Sequence, residues 1–254
     1  MIKLGSLFAG IGGFDLGAQW AFDRAGIPHK VLFQVEQNKY CQSILKKHWP
    51  DAQVFDDVRA VGRHNLPDID ILMGGFPCQD ISVCGHQKGI INGKKSNLWF
   101  EMLRVIGELR CPIVVLENVP AIIRVGGPVV VGGLAEIGYD CEWKIISAKQ
   151  FGAPHLRRRW FCIATNPNSE CMQEQPINTI SMEKARLSEC GGSQAGWQNK
   201  GQYWKKGPTE PPVCSVDDGI SNRVARLRAL GNAIVPQCSE YIFQHIIKNI
   251  IQNS

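Results

Sequence analysis

The 254-residue sequence lacks several features that would assign it to particular classes of protein. It has no apolar run near the roughly 18 residues that a membrane span requires, and no secretory signal pattern is visible at its amino terminus. None of the ten cysteines forms a CxxC pair, so a metal site is not expected. No internal repeat is present. We therefore expect a cytoplasmic protein, not a membrane protein, with reduced cysteines.

The net charge of +5 is small, but the cations are clustered. Three arginines are consecutive at 157–159, and further arginines stand at 223, 226 and 228. Clusters of this kind favour a polyanionic partner such as nucleic acid. The alternative is an ordinary solvated surface, which accounts for most charge runs.

Short β-rich runs alternate with helical patterns through about residue 165. This alternation predicts an α/β fold, with a doubly wound, mostly parallel, Rossmann-like sheet and helices on both faces. The predicted strands are Lys3–Phe8, Val31–Glu36, Ile69–Met73, Ile113–Leu116, Cys141–Ser147 and Trp160–Ala164. The predicted helices are Phe14–Ala25, Lys39–Lys47, Leu98–Arg110, Val130–Ile137, Asn222–Leu230 and Gln237–Ile251.

Residues 166–215 differ in character from the rest of the chain. They are rich in Gln, Asn, Ser, Gly and Pro, and their five Lys/Arg balance five Asp/Glu. Strand signals are weak there, which favours an inserted subdomain or a loop. The sequence thus predicts one domain formed by residues 1–165 and 216–254, interrupted by this insert.

Cys78 lies in the stretch GGFPCQDIS (74–82), directly after a predicted buried strand. In open α/β sheets, ligands bind at the carboxyl ends of the strands. Pro77 restricts the backbone just before the thiol, and a thiolate at such a place can act as a nucleophile. The alternative is a buried core cysteine.

A glycine-rich turn, FAGIGG (8–13), follows the first predicted strand and opens a helix. Its glycines would let the backbone approach a nucleotide-like ligand, although such a turn is often only a tight turn. Asp15 replaces the third glycine of GxGxxG, and an acid beside the ligand would repel a pyrophosphate. The sulfonium cation of S-adenosylmethionine would tolerate it. Glu36 could hold both ribose hydroxyls and Asp57 the adenine edge, so together these features favour an adenosyl ligand.

Glu117 ends another predicted strand, which would place its carboxylate across the sheet edge from Cys78. Arg157 and Arg159 stand two apart, so on an extended segment they would point to the same face. Cysteine, glutamate and arginine at one edge suit attack on an electron-poor ring, with the carboxyl donating to a ring nitrogen and an arginine holding a developing oxyanion or a phosphate. Glu117 must then be partly protonated, which a dry pocket favours. The alternative is a structural ion pair between Glu117 and Arg159.

The motifs GGFPCQ, ENV, the arginine pair and RLRALGNAIVPQ, in this order behind FAGIGG, resemble the cytosine-5 DNA methyltransferases of bacteria and phages. The resemblance covers about residues 1–165 and 215–250. It implies a methyltransferase that flips a cytosine out of double-stranded DNA and methylates carbon 5, with S-adenosylmethionine as methyl donor. Cys78 would be the nucleophile, and Glu117 would bind cytosine nitrogen 3 with Arg159 and Arg157 nearby. The implied cofactor residues are Phe8, Ala9, Gly10, Gly12, Glu36, Asp57, Pro77, Leu98, Asn232 and Ala233.

The resemblance also implies that residues 166–215 form a short target-recognition region. A monomer is expected, and a cognate restriction endonuclease is a candidate partner. The chain departs from the family at His155, where glutamine is usual, and at Asp80-Ile81-Ser82, where Pro-Phe-Ser is frequent. The insert is short for the family, which implies a short target site or relaxed sequence specificity.

Three alternatives remain open from the sequence. An RNA cytosine methyltransferase would share the fold and the motifs. A catalytically inactive DNA-binding relative is disfavoured because Cys78, Glu117 and Arg159 are all present. A nicotinamide oxidoreductase is disfavoured by the failed GxGxxG pattern.

Overall fold

The computed structural model of the chain describes residues 1–77, 98–169 and 229–251. Within these ranges seven strands form one sheet, in the order β3-β2-β1-β4-β5-β7-β6. The strands are β1 (Ile2–Leu7), β2 (His29–Val35), β3 (Gln53–Phe55), β4 (Ile71–Gly74), β5 (Ile113–Asn118), β6 (Asp140–Ser147) and β7 (Arg158–Thr165).

The helices of the described residues lie between these strands and after the last of them. They are α1 (Gly13–Ala25), α2 (Lys39–His48), α3 (Leu98–Leu109), α4 (Ile122–Val125), α5 (Gly127–Glu136) and α6 (Pro236–Ile246), the last passing into a π-helical turn at Ile247–Ile251. Two 3₁₀ turns occupy Val58–Ala60 and Ala148–Phe151. Across the described ranges, no helix is both long and apolar enough to cross a membrane.

The sheet is mostly parallel, as the sequence predicts. Strands β1 to β5 pair in parallel, whereas β7 runs antiparallel to both β5 and β6. Because of this reversal, β7 begins at the edge where β5 ends, with Glu117 opposite Phe161 and Asn118 opposite Trp160. The end of β5 and the start of β7 therefore lie next to each other at the carboxyl edge of the parallel strands.

Helices cover both faces of the sheet, which confirms the predicted doubly wound arrangement. Trp99 on α3 and Trp160 on β7 belong to the buried cluster on one face. Phe22 on α1, Phe161 on β7 and Phe243 on α6 belong to the cluster on the other. Alternate residues of β7 thus pack into the hydrophobic clusters on opposite faces of the sheet, as the two-residue period of a strand requires.

The predicted element boundaries agree with the structure to within three residues where both are described. Sequence analysis missed the three-residue β3 and the four-residue α4, because elements so short show no periodicity. Residues 229–232 are helical, so the helix predicted to end at Leu230 continues to Asn232. Residues 222–228 of that helix lie outside the described residues.

The carboxyl group of Asp15 is enclosed between β1, β2 and α1. It is 0 % exposed and accepts hydrogen bonds from Ser6 Oγ (3.3 Å) and Gln34 Nε2 (2.8 Å). Burial raises its pKa to about 6, against the opposing effect of these hydrogen bonds. The expectation that Asp15 stands as an acid beside the ligand is therefore wrong, because the side chain is turned into the domain.

We expect Asp15→Asn to stabilise the protein at pH 7.5 by about 1–3 kcal/mol, since one pKa unit corresponds to about 1.4 kcal/mol. A carboxyl whose pKa is raised on folding contributes stability only at low pH, and this contribution is lost as the pH rises from about 4 through about 6. Urea denaturation of both proteins at pH 4.5 and 7.5 measures the difference, which should shrink at the lower pH. The exposed Asp51→Asn serves as control. An equal difference in the free energy of unfolding at the two pH values would contradict the raised pKa of Asp15.

Candidate active site

The turn after β1 has the conformation that its glycines allow. Phe8, Gly10 and Gly12 have φ values of 55°, 58° and 81°. A side chain at Gly12 would also meet the ring of Trp49 at 2.4 Å, whereas the space beside Gly10 is open. The positive φ is relaxed for the two glycines but strained for Phe8, and a strained residue next to open space at the carboxyl end of a central parallel strand is typical of a ligand-binding turn.

Glu36 follows β2 and closes one side of this turn. Its Oε2 accepts a hydrogen bond from the Gly10 backbone N–H at 2.8 Å, and its Oε1 accepts one from the Asn38 N–H at 2.7 Å. Each carboxylate oxygen can accept two hydrogen bonds, so both keep an acceptor position. The carboxylate is thus oriented by the protein and still able to receive two hydroxyl groups.

Two residues that the sequence analysis did not identify, Asn38 and Gln42, hold the Glu36 backbone and the start of α2 in position. Asn38 caps α2 by accepting hydrogen bonds from the Tyr40 and Cys41 N–H groups, and Gln42 Nε2 donates to the Glu36 carbonyl and to Asp56 Oδ1. The cap at Asn38 has a recognisable sequence signal, an Asn directly before a helical pattern. Gln42 has none, because its role depends on how α2 packs.

Asp57 lies after β3, next to Glu36 at the same sheet edge. The Glu36 N–H donates to the Phe55 carbonyl at 2.9 Å, which joins the two strand ends. The Asp57 side chain caps the 3₁₀ turn at Val58–Ala60 by accepting from the Arg59 N–H at 3.0 Å. The other carboxylate oxygen, Oδ2, pairs with Arg59 Nη1 at 3.4 Å, so both oxygens contact Arg59 while the side chain remains partly exposed.

The segment at 231–235 packs against the glycine-rich turn. A side chain at Gly13 would lie 2.5 Å from the Ile234 carbonyl oxygen, so the two backbones are in direct contact. Asn232 is exposed and Ala233 partly buried, beside the start of α1. Of the other predicted cofactor residues, Ala9 is buried in the turn, and Pro77 and Leu98, which flank residues 78–97, are partly buried.

Glu117 and Arg159 form an ion pair at the opposite side of this edge. Arg159 Nε lies 2.8 Å from Glu117 Oε1, and the two side chains are 22 % and 12 % exposed, respectively. Burial raises the pKa of Glu117 to about 7, although Arg159 and Arg157 both act to lower it. The carboxyl is therefore present in both protonation states near neutral pH, while held in one place by the guanidinium.

Gly75 makes room for this carboxyl. A side chain there would lie 2.7 Å from Glu117 Oε2 and 3.2 Å from the Glu117 carbonyl oxygen. The paired glycines of GGFPC were visible in the sequence, but only the packing shows that the second one faces Glu117. The Asn118 side chain donates to the Phe76 carbonyl at 3.3 Å, so the chain approaching residue 78 is tied to the end of β5. Cys78 itself lies outside the described residues.

Arg157 and Arg159 do not share an extended segment as predicted. β7 begins at Arg158, and Arg157 has a φ of 21°, outside the extended region. Arg157 Nη2 donates to the backbone carbonyls of Gly231 and Ala233, whereas Arg159 pairs with Glu117. The two arginines therefore link different parts of the site, because the chain turns between them.

Comparison with solved structures shows the fold. The structure of the Dnmt2 methyltransferase of S. pombe aligns with a TM-score of 0.53 and 21 % identity, over 65 % of this chain and 51 % of that one. The Entamoeba histolytica methyltransferase EhMeth aligns with a TM-score of 0.56 and 16 % identity, over 70 % and 54 % of the two chains. The fold is thus that of methyltransferases with a seven-stranded α/β sheet.

Comparison of sequences shows the family: residues 2–206 match the C-5 cytosine-specific DNA methylases, and the chain belongs to this family. It is 33 % identical over 250 residues to the type II methyltransferase M.CviJI of Paramecium bursaria Chlorella virus IL3A, covering 98 % of this chain and 60 % of that protein. It is 30 % identical over 199 residues to the orphan methyltransferase M.Rho11sI of Bacillus phage rho11s, covering 74 % and 39 %. The chain spans about 60 % or less of the length of these curated relatives.

We expect Glu36→Ala to weaken binding of S-adenosylmethionine by about 1–3 kcal/mol, because hydrogen bonds to a charged group are lost and the Gly10 N–H loses its acceptor. Isothermal titration calorimetry measures the change. The control is Asp51→Ala, which removes a carboxylate that is 78 % exposed. Equal affinity of Glu36→Ala and the parent for S-adenosylmethionine would show that Glu36 does not contribute to the binding site.

Proposed function

We propose that this protein is a DNA cytosine-5 methyltransferase that acts on a cytosine flipped out of the double helix. The observation that carries the proposal is the Glu117 carboxyl, with a pKa of about 7, held by Arg159 at the edge toward which the segment before Cys78 runs. A half-protonated carboxyl suits the activation of a ring nitrogen. Membership of the C-5 cytosine-specific family supports cytosine as the ring.

In the proposed reaction, Cys78 attacks as a thiolate, forming a bond between sulfur and carbon 6 of the cytosine. The electron pair of the C5–C6 double bond becomes available at carbon 5, and protonation of nitrogen 3 by Glu117 makes the ring a better acceptor. S-adenosylmethionine, when bound, supplies the methyl group to carbon 5. A base then takes the proton from carbon 5, the C6–S bond breaks with release of the thiolate, and Glu117 recovers its proton from nitrogen 3.

The residues around the glycine-rich turn fit S-adenosylmethionine. Gly10 has open space beside it, and Glu36 keeps two acceptor positions for ribose hydroxyls. We propose that Phe8, Ala9, Asp57, Asn232 and Ala233 complete this pocket, with Pro77 and Leu98 toward the base, and that S-adenosylhomocysteine is the product. Arg157 would hold the 231–233 backbone in place rather than contact the substrate.

Residues 166–215 remain the proposed target-recognition region, between the two parts of the catalytic domain. The first residues of this region contact the sheet, since the Asn166 N–H donates to the Pro112 carbonyl at 2.9 Å. Residues 170–215 lie outside the residues that the structure describes. A monomer in the cytoplasm, with double-stranded DNA as substrate and a restriction endonuclease as possible companion, remains part of the proposal.

The decisive experiment expresses the chain in cells that lack cytosine-5 methylation and sequences the methylated cytosines in their DNA. We expect methylation at one short recurrent sequence. A parallel transfer assay in vitro compares duplex DNA with RNA. Methylation of RNA alone would replace the proposal by the RNA alternative, and transfer to neither would contradict both.

A further inference from the structure

The carboxyl end of β6 carries a cleft that the proposed chemistry does not use. It has a volume of about 330 Å³ and is lined by Ile145, Ser147, Lys149, Gln150 and Arg158. Ser147 lies opposite Arg158 in the β6–β7 pair, and Ile145 lies opposite Trp160. The cleft is therefore on the face of β7 opposite to Arg159, at the same edge of the sheet as the Glu117–Arg159 pair.

The walls of the cleft are held in place by local hydrogen bonds. Ser147 and Gln150 form a capping box at the start of the 3₁₀ turn, with the Ser147 N–H donating to Gln150 Oε1 at 2.8 Å. Ser147 Oγ also donates to the Leu156 carbonyl, and the Ala148 N–H donates to the Arg157 carbonyl at 3.3 Å. The segment that carries Lys149 is thus tied to the one that precedes Arg158.

Charge in this region is of one sign. Residues 143–169 contain five Lys/Arg and no Asp/Glu. Arg159 pairs with Glu117, and Arg157 binds backbone carbonyls. Lys149 and Arg158 are exposed, and neither has an acidic partner among the described residues. The Ser147 hydroxyl already donates its hydrogen to the Leu156 carbonyl, so the groups of the cleft that can bind an anion are the two unpaired cations and the side-chain amide N–H of Gln150.

We propose that this cleft binds a backbone phosphate of the DNA substrate, close to the cytosine that enters the active site. The proposal rests on the proposed function, since DNA must approach the edge that carries Glu117. Arg158 and Arg159 are consecutive in β7, so their side chains lie on opposite faces of that strand. A DNA strand that delivers its cytosine to the face of Arg159 would therefore pass beside the face of Arg158. Phosphate contacts of this kind position the duplex without reading its sequence.

The test measures binding of a mixed-sequence DNA duplex by fluorescence anisotropy over a range of salt concentrations. We expect Lys149→Ala/Arg158→Ala to bind more weakly and to reduce the slope of log K against log[salt] by about 0.9, the value for one phosphate contact. Affinity for S-adenosylmethionine should be unchanged. Lys149→Arg/Arg158→Lys keeps both charges and should retain the parental slope.

The control is Lys46→Ala/Lys47→Ala, which removes two cations from the exposed end of α2. An unchanged slope in the cleft variant, or an equal reduction in the control, would overturn the proposal. Binding of inorganic phosphate in the cleft, seen by calorimetry without an effect on the DNA slope, would also overturn it by identifying a site for the free ion. If the parent neither binds nor methylates DNA, the proposed function fails and not this inference alone.

Discussion

Replacing Cys78 by serine is expected to abolish methyl transfer and to leave binding of S-adenosylmethionine intact. A serine hydroxyl is not ionised near neutral pH, so the attack on carbon 6 loses its nucleophile. We expect turnover to fall by roughly 10³-fold or more, as for other enzymes that lose a covalent nucleophile. The residues that we propose to bind the cofactor, including Glu36 and Gly10, belong to other loops, which is why cofactor affinity should survive.

A matched control is Cys84→Ser, the same substitution six residues along the chain. It should retain transfer, measured with labelled S-adenosylmethionine and DNA. A second measurement uses DNA containing 5-fluorocytosine, whose fluorine cannot leave as a proton. The parent should form a protein–DNA adduct that resists denaturation, and Cys78→Ser should form none. Near-parental turnover of Cys78→Ser would contradict the assignment of the nucleophile.

Glu117→Gln is expected to lower turnover by roughly 10²–10⁴-fold, the usual contribution of a proton-transferring group. The amide can still accept a hydrogen bond from Arg159, but it is uncharged, so it forms no ion pair and cannot protonate nitrogen 3. Binding of S-adenosylmethionine should change little. Glu136→Gln, an exposed glutamate at the end of α5, is the control.

The pH dependence of kcat/KM gives Glu117→Gln a second signature. In the parent, the protonated form of Glu117 is lost as the pH rises through about 7, while the thiolate fraction of Cys78 increases. These opposite trends should produce a maximum. In Glu117→Gln the fall on the alkaline side should be absent, leaving activity that only increases with pH. A parental pH profile in this variant would show that Glu117 is not the acid.

The distribution of roles between the two arginines illustrates what the sequence could not show. Their spacing indicates a shared face, which holds for a strand. The chain turns at Arg157, and its guanidinium binds the carbonyls of Gly231 and Ala233, about 75 residues away. A contact of this separation has no local signal. Its result is a link between the side of the site proposed for the cofactor and the side proposed for the base.

Asp15 is a second example. The residue type indicates an acid near the ligand, but the side chain is sealed between Ser6 and Gln34. The direction in which a first-turn helical side chain points depends on how α1 packs on the sheet. Gly75 and Gln42 are comparable, since their importance comes from the neighbours that folding brings to them.

The sequence by itself determined the alternation of strands and helices, the order of the motifs and the placement of Glu36 and Glu117 at strand ends. These are local properties, because apolar periodicity and turn residues act over a few positions. The tertiary structure alone decided that β7 runs antiparallel, so that Arg159 pairs with Glu117 on one face of the sheet edge, while Arg158 and Lys149 line a cleft on the other face. It also decided the pKa of Glu117, because desolvation depends on everything packed around the carboxyl.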